Sequence, residues 1–249
     1  MNPNVIALLA FLGIFGAALL GMRLRTALPE HHLSQETKDT VRLGMGLVAT
    51  MTALLLGLLI AAAKGSYDTQ RSEVIQMAGK VDFLDHVLAI YGPETAETRE
   101  HLRRATESAI HLMWPDKANQ VNAEAVTTAQ AMYGSIQKLA PQNDEQRALK
   151  AEALETVTDL SKTRWLLFAQ AGTSIATPLL IIVVVWLAIT FVSFGLFAPS
   201  NKTVIVTMIV VALSVSSAIF LILELDQPFK GVLQISSEPL HNALSHLGR

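Results

Sequence analysis

Two groups of side chains in this sequence have the types and spacing for metal or acid–base chemistry. Asp82, Asp85 and His86 fall at i, i+3 and i+4 on one helix face, and Glu107 and His111 form an i, i+4 pair further along. Either spacing suits ligation by carboxylate and imidazole. Salt bridges account for the same carboxylates more simply. If the chain folds back at Gly92-Pro93, Asp82 and Asp85 come opposite Arg99, Arg103 and Arg104 on a solvated face. His31, His32, His241 and His246 lack partners at ligand spacing and read as surface residues. No P-loop, GxSxG or HExxH pattern occurs, and there are 0 cysteines, so thiolate nucleophiles, disulfides and Cys-based zinc sites are excluded. The reading is of a protein that is not an enzyme, with no cofactor and no metal.

A different chemistry, the passage of ions, is suggested by an uncharged run. Gly46, Thr50, Ala53, Gly57 and Ala61 recur at steps of four and three and lead to Lys64, while Leu47, Met51, Leu54 and Leu58 form a bulky face beside them. Small residues at this spacing let helix backbones approach closely in lipid. They also suit a pore, where small and hydroxylated residues face water and Leu or Met rings form a constriction that gates by dewetting. Both uses hold together if the helix packs against copies of itself around a symmetry axis. The candidate pore-lining residues are Gly46, Thr50, Ala53, Leu54, Gly57, Ala61 and Lys64. A second stripe, Thr203, Thr207, Ser214, Ser217 and Glu224, carries hydroxyls expected to bond their own i−4 carbonyls or a neighbouring helix. Glu224 and Asp226 are expected at the membrane edge, hydrated, and in an oligomer they would form acidic rings that attract cations.

The elements that must position these residues are membrane helices. Of 249 residues, 51% are hydrophobic and 16% charged, and the mean hydropathy is +0.40. Four windows, Val5–Met22, Leu43–Ala63, Pro178–Phe197 and Val204–Leu223, contain no Asp, Glu, Lys, Arg or His. Each approaches the ~20 residues needed to cross a hydrocarbon core of about 30 Å. The first window lacks the basic n-region of a signal peptide, since Arg23 and Arg25 follow it, so it reads as a retained span. A net charge of −2 provides no broad basic surface, so no nucleic-acid partner is expected.

From Lys64 to Arg164 the sequence turns charged and alanine-rich with helical periodicity. Val74, Met77, Val81, Leu84, Leu88 and Tyr91 make one stripe, broken by Gly92-Pro93. Leu102, Ala105, Ala109 and Leu112 make a second, ending at Trp114-Pro115. Val121, Ala125, Ala129, Met132, Ile136 and Leu139 make a third, ended by Pro141, and Leu149, Ala153, Val157 and Leu160 a fourth. Helices with one buried face assemble as a bundle. Only Gly65 interrupts the approach to this region, so the second span is expected to continue into it as one long helix.

The fold class is therefore all-α: a transmembrane hairpin over 1–63, a water-facing helical bundle over 64–164 inserted between the second and third spans, a second hairpin over 165–223, and a C-terminal turn and short helix over 224–249. Both termini lie on the same side as the inserted domain. Which side that is stays open, because Arg23 and Arg25 on one face nearly balance Lys64, Arg71, Lys162, Arg164 and Lys230 on the other.

The tail carries Leu225-Asp226-x-Pro228-Phe229-x-Gly231, followed by Ser236-x-Glu238-Pro239-Leu240, with Ser236 or Ser237 as the expected cap of a terminal helix. On these residues, with Tyr91-Gly92-Pro93-Glu94 and Thr163-Arg164-Trp165, the chain resembles the bestrophin-like family of bacterial and plant membrane proteins. The tail motif is Asp226, Pro228, Phe229 and Gly231. The resemblance implies distant similarity to bestrophins, pentameric chloride channels whose second membrane helix lines the pore and whose helical domain is cytosolic. It thus implies a symmetric homo-oligomer, a pentamer by analogy only, in a bacterial inner membrane, with the lipid bilayer and ions as partners. The acidic calcium-binding run and the aromatic neck residues of animal bestrophins are absent here, so calcium gating and ion selectivity do not carry over. The two functions expected are an oligomeric ion channel lined by the second span, or a non-conducting membrane protein whose helical domain binds a partner or senses stress.

Overall fold

The computed structural model describes residues 2–29, 34–114, 124–170 and 177–248. Among these every element is helical: α1 (Pro3–Ala27), α2 (Gln35–Tyr91), a single 3₁₀ turn (Pro93–Thr95), α3 (Ala96–Met113), α4 (Glu124–Lys138), α5 (Asp144–Gln170), α6 (Thr177–Phe197), α7 (Lys202–Leu225) and α8 (Glu238–His246). The chain divides into two compact units, Met1–Tyr67 with Thr173–Asp226, and Asp68–Gly172 with Gln227–Arg249.

The first unit holds the membrane helices. Four helices are long and apolar enough to cross a bilayer: α1, α2, Pro178–Phe197 within α6, and α7. Their starts are capped by short polar side chains. Asn2 accepts from the backbone N–H of Asn4, and Asn201 from that of Val204 at 2.9 Å, while the Ser34 hydroxyl accepts from the N–H of Thr37 ahead of α2. α1 runs on through Arg23 and Arg25, past the apolar window that ends at Met22. The Arg25 guanidinium donates to the Ala198 carbonyl just past the end of α6, pairing a carbonyl that the helix leaves open. Large apolar side chains such as Leu8, Leu12, Val206 and Val210 point outward, as a lipid solvent permits.

In that solvent, side chains gain little by leaving lipid for each other, so close packing decides which helices associate. α1 and α6 meet through two glycines. A Cβ built on Gly21 would lie 2.1 Å from the Val192 carbonyl oxygen, and one on Gly195 would lie 2.0 Å from that of Ala18. Both distances are far inside van der Waals contact, so each helix presents bare backbone to the other. Around this contact Ile14, Ala18, Val183, Ala212 and Ile219 are fully buried, and Leu59 and Ala63 of α2 join the same core.

The second unit is held by apolar stripes at the predicted positions. Val74, Met77, Val81, Leu84, Leu88 and Tyr91 of α2 are all buried, as are Leu102 and Ala109 of α3, Met132 and Ile136 of α4, Ala153, Val157 and Leu160 of α5, and Leu240 of α8. Val121 and the Gly172–Pro178 interruption fall wholly or partly outside the described residues. α2 is one continuous helix of 57 residues, about 85 Å long at 1.5 Å per residue, and Gly65 does not break it. It stops at Gly92, whose φ of 137° excludes other residue types. The Thr95 hydroxyl then donates to the Leu88 carbonyl at 2.6 Å, and the Gln146 amide to the Tyr91 carbonyl at 2.9 Å, so two of the carbonyls left open by the helix end are paired. Lys150 does the same for α4, donating to the carbonyls of Gln137 and Leu139.

The glycine contact makes a direct prediction. Gly21→Ala or Gly195→Ala places a methyl group on opposing backbone and should cost about 1–3 kcal/mol, read as a lower thermal midpoint in detergent. Gly13→Ala and Gly16→Ala meet nothing within 4 Å and should be neutral or slightly stabilising.

Candidate functional site

The membrane stretch of α2 is the least covered of the four spans. Only 11% of its most apolar window is buried within the chain, against 28% for each of the others. The part that packs is one face, centred on Thr52, Leu59 and Ala63, with Leu55, Leu56 and Ile60 at its borders. At 100° per residue, the stripe picked out from the sequence lies on the opposite side. Gly46, Thr50, Ala53, Gly57, Ala61 and Lys64 are all exposed, and so are Leu47, Met51 and Leu58, with Leu54 at 71%. The small residues are thus not used for packing inside the chain. A Cβ on Gly46, Gly57 or Gly65 meets nothing within 4 Å, in contrast to Gly21 and Gly195.

Polar groups on this helix are already held. Thr50 donates to the Gly46 carbonyl at 2.9 Å and Thr52 to that of Val48 at 2.7 Å, so neither hydroxyl carries an unmet donor into lipid. Lys64 sits at the end of the stripe with its ammonium 5.7 Å from the centre of the Tyr67 ring, a cation–π geometry. What the exposed face offers chemically is a continuous surface of small and aliphatic side chains ending in one positive charge.

The second stripe behaves as its hydroxyls predict. Thr207, Ser214 and Ser217 are exposed and bond the carbonyls of Thr203, Val210 and Leu213. Glu224 corrects the expectation of a hydrated carboxylate at the membrane edge: it is 2% exposed. Periodicity does not account for this, since Glu224 lies only about 20° round the helix from the exposed Ser217; it is covered in the last turn of α7, where Ile222 and Leu225 are buried too. A side chain so covered cannot line an acidic ring in contact with water. Asp226 is half-buried and takes the C-cap of α7. Ser216, on the packed side of α7, is buried, and its hydroxyl has no hydrogen-bond partner among the described residues. Sequence reasoning missed it because a serine reads the same on either face of an apolar run.

In the helical unit the carboxylate–arginine arrangement holds at one point. Arg99 grips Asp85 with two hydrogen bonds of 2.7 Å, mostly out of solvent. Arg103 and Arg104 do not cross to α2. They bond Glu100 and Glu107 of their own helix, which sit three and four residues away and so are reached without a long-range fit. Hydrogen bonds from Arg103 and Arg104 pull the exposed Glu100 carboxyl down to about 2. Among the described residues no group of three His, Asp or Glu side chains could hold a metal ion. Glu107 is taken by Arg103, and Asp82 and His86 stay exposed.

The tail motif is structural. Phe229 meets Trp114 edge-on, with ring centroids 5.3 Å apart. The indole N–H of Trp114 donates to the Ile235 carbonyl at 2.7 Å, and the Ile235 N–H to that of Pro228. Gly231 adopts φ 88° in the turn between them. The terminal helix begins at Glu238, and the Ser236 hydroxyl accepts from its N–H.

Residues 12–240 match the model of the bestrophin-like domain. Several solved structures of a bacterial bestrophin homologue from Klebsiella pneumoniae are similar to this chain. One point variant superposes with a TM-score of 0.72 at 15% identity, over 99% of this chain and 96% of that one. A second point variant gives 0.71 at 13% identity over 96% and 97%, and the zinc-phased structure gives 0.68 at 13% over 95% of each. At these identities the likeness shows a shared fold. No curated protein matches the chain.

Asp85→Ala removes both 2.7 Å hydrogen bonds from the largely covered Arg99 guanidinium and should destabilise the helical unit by about 2–3 kcal/mol in denaturant unfolding. Asp82→Ala, in solvent, should stay within about 0.5 kcal/mol. Because the folded Glu100 carboxyl titrates near 2 rather than at its usual 4.5, its contribution is present above pH 4.5 and lost as pH falls toward 2. Glu100→Gln should therefore lower the thermal midpoint at pH 7 and converge with the parent chain as the pH approaches 2.

Proposed function

The chain belongs to the bestrophin-like family, and from that membership we propose that it is the subunit of a homo-oligomeric ion channel in which α2 lines the pore. The number of copies, five, comes by analogy with bestrophins alone. One observation carries the reading: the span with the least cover in the chain is also the one whose uncovered face is a regular stripe of glycine, alanine and threonine beside leucines. A helix in contact only with lipid has no use for that regularity. Around a symmetry axis, Gly46, Thr50, Ala53, Gly57 and Ala61 let neighbouring copies of α2 lie close or give room to water. Rings of Leu54 and Leu58 form an apolar constriction where a water column empties before ions are blocked.

The residues assigned to the pore are Gly46, Thr50, Ala53, Leu54, Gly57, Ala61 and Lys64. Glu224, being buried in the chain, is left out of this assignment. The likeness in fold to the Klebsiella pneumoniae bestrophin homologue, along nearly the whole of both chains, supports the same arrangement of helices.

The reading is tested by ion flux from liposomes holding the purified protein. Leu54→Ser wets the constriction and should raise flux about tenfold, which corresponds to about 1.4 kcal/mol of barrier. Gly57→Leu crowds the axis and should lower it by a similar factor. No flux from the parent chain, with a protein partner captured through residues 64–164, would favour a non-conducting role instead.

A further inference from the structure

A cavity of about 530 Å³ opens in the membrane unit between the start of the α2 span, the end of α6 and the start of α7. Its wall is built mainly from Met45, Phe191, Phe194, Val204, Met208 and Val211, with Gly46 and Ala49 leaving room on the α2 side. No acidic residue lines it. The charged side chain at its border is Arg42, 62% exposed.

The end of the unit where this cleft opens is basic. Arg23 and Arg25 close α1, Lys38 and Arg42 precede the α2 span, and Lys202 begins α7, against Glu36 and Asp39 among the described residues. The Arg25 bond to Ala198 fixes the end of α1 beside the α6–α7 turn, whose Ala198 and Pro199 also line the cleft. Among the described residues Arg42 has one ion-pair contact, to Asp39 at 3.7 Å, and both side chains are solvated. A pair this long and exposed holds a guanidinium weakly and leaves most of its five donors for another acceptor.

From this combination we infer that the cleft binds one anionic phospholipid per subunit, an acyl chain lying against the α6–α7 wall and the phosphate on Arg42. Apart from the hydroxyls of Ser193, Thr203 and Thr207, the last already bonded to its own helix, the wall is hydrocarbon, and such a cleft at membrane depth is filled mainly by hydrocarbon. A planar guanidinium at the rim is the side chain best matched to a phosphate. The basic surplus around it favours an anionic over a zwitterionic headgroup. The inference goes beyond the channel reading and is independent of it, because binding is measured without flux.

The full chain, purified in detergent and stripped of lipid, is titrated with phosphatidylglycerol or phosphatidylcholine and observed by native mass spectrometry. The expected result is one phosphatidylglycerol per subunit, with phosphatidylcholine about five- to tenfold weaker. Arg42→Ala should weaken phosphatidylglycerol by a similar factor and leave phosphatidylcholine unchanged. Ala49→Trp, which fills the cleft, should abolish binding of both while the thermal midpoint is kept. Equal affinity for the two lipids, or equal retention by the parent and both variants, would overturn the inference. So would loss of the oligomer in Ala49→Trp with lipid retention intact, which would show the cleft to be covered by a second copy.

Discussion

The architecture of the membrane unit rests on the bare-backbone contact between Gly21 of α1 and Gly195 of α6. In a bilayer the surrounding solvent is as apolar as the side chains, so no general force drives helices together. Association comes from how closely two backbones can approach and how many atoms then touch. With α1 and α6 committed to each other, and α7 packed beside them in the same core, α2 contributes only one narrow face to that core. Its other face remains uncovered within the chain. The exposure of the candidate pore residues is thus a consequence of where the closest contact lies, not a separate feature.

The polar chemistry follows from the same constraint. In the spans, hydroxyls are turned back on their own helix, as at Thr50, Thr207, Ser214 and Ser217. Cations are kept to the ends: Arg25 on the Ala198 carbonyl, Arg42 at the mouth of the cleft, Lys64 over Tyr67. In the helical unit, whose surface carries charged side chains, ion pairs reappear. Among the described residues, the pair that is largely covered, Asp85 with Arg99, is held by two hydrogen bonds. The tail turn packs into that unit through Phe229 on Trp114.

The spans and the bundle stripes were readable from the sequence because each depends on local composition or on a period of 3.6, and both are printed along the chain. The α2 stripe was readable for the same reason, although its role could not be chosen: the sequence does not say which face another helix covers. Gly13, Gly16 and Gly21 show why. All three are glycines in one apolar run, yet only Gly21 meets opposing backbone. Glu224 was misplaced because the helix period puts it on the face of the exposed Ser217, whereas its burial comes from what packs on the last turn of α7, which leaves no periodic trace. Arg103 and Arg104 were misassigned because partners within one helix, Glu100 and Glu107, compete ahead of those across a fold. The Trp114–Phe229 contact joins residues 115 positions apart and leaves no periodic trace.

The central claim is that the uncovered face of α2 borders the path of ions, and the absence of native cysteine allows it to be tested one residue at a time. Single variants Thr50→Cys, Leu54→Cys and Gly57→Cys, with Thr52→Cys and Leu59→Cys on the packed face, are reconstituted and treated with a membrane-impermeant thiol reagent while flux is recorded. The account predicts that modification changes flux at positions 50, 54 and 57 and leaves it unaltered at 52 and 59. Changes at 52 and 59 alone, or no change at any position in a conducting protein, would contradict it.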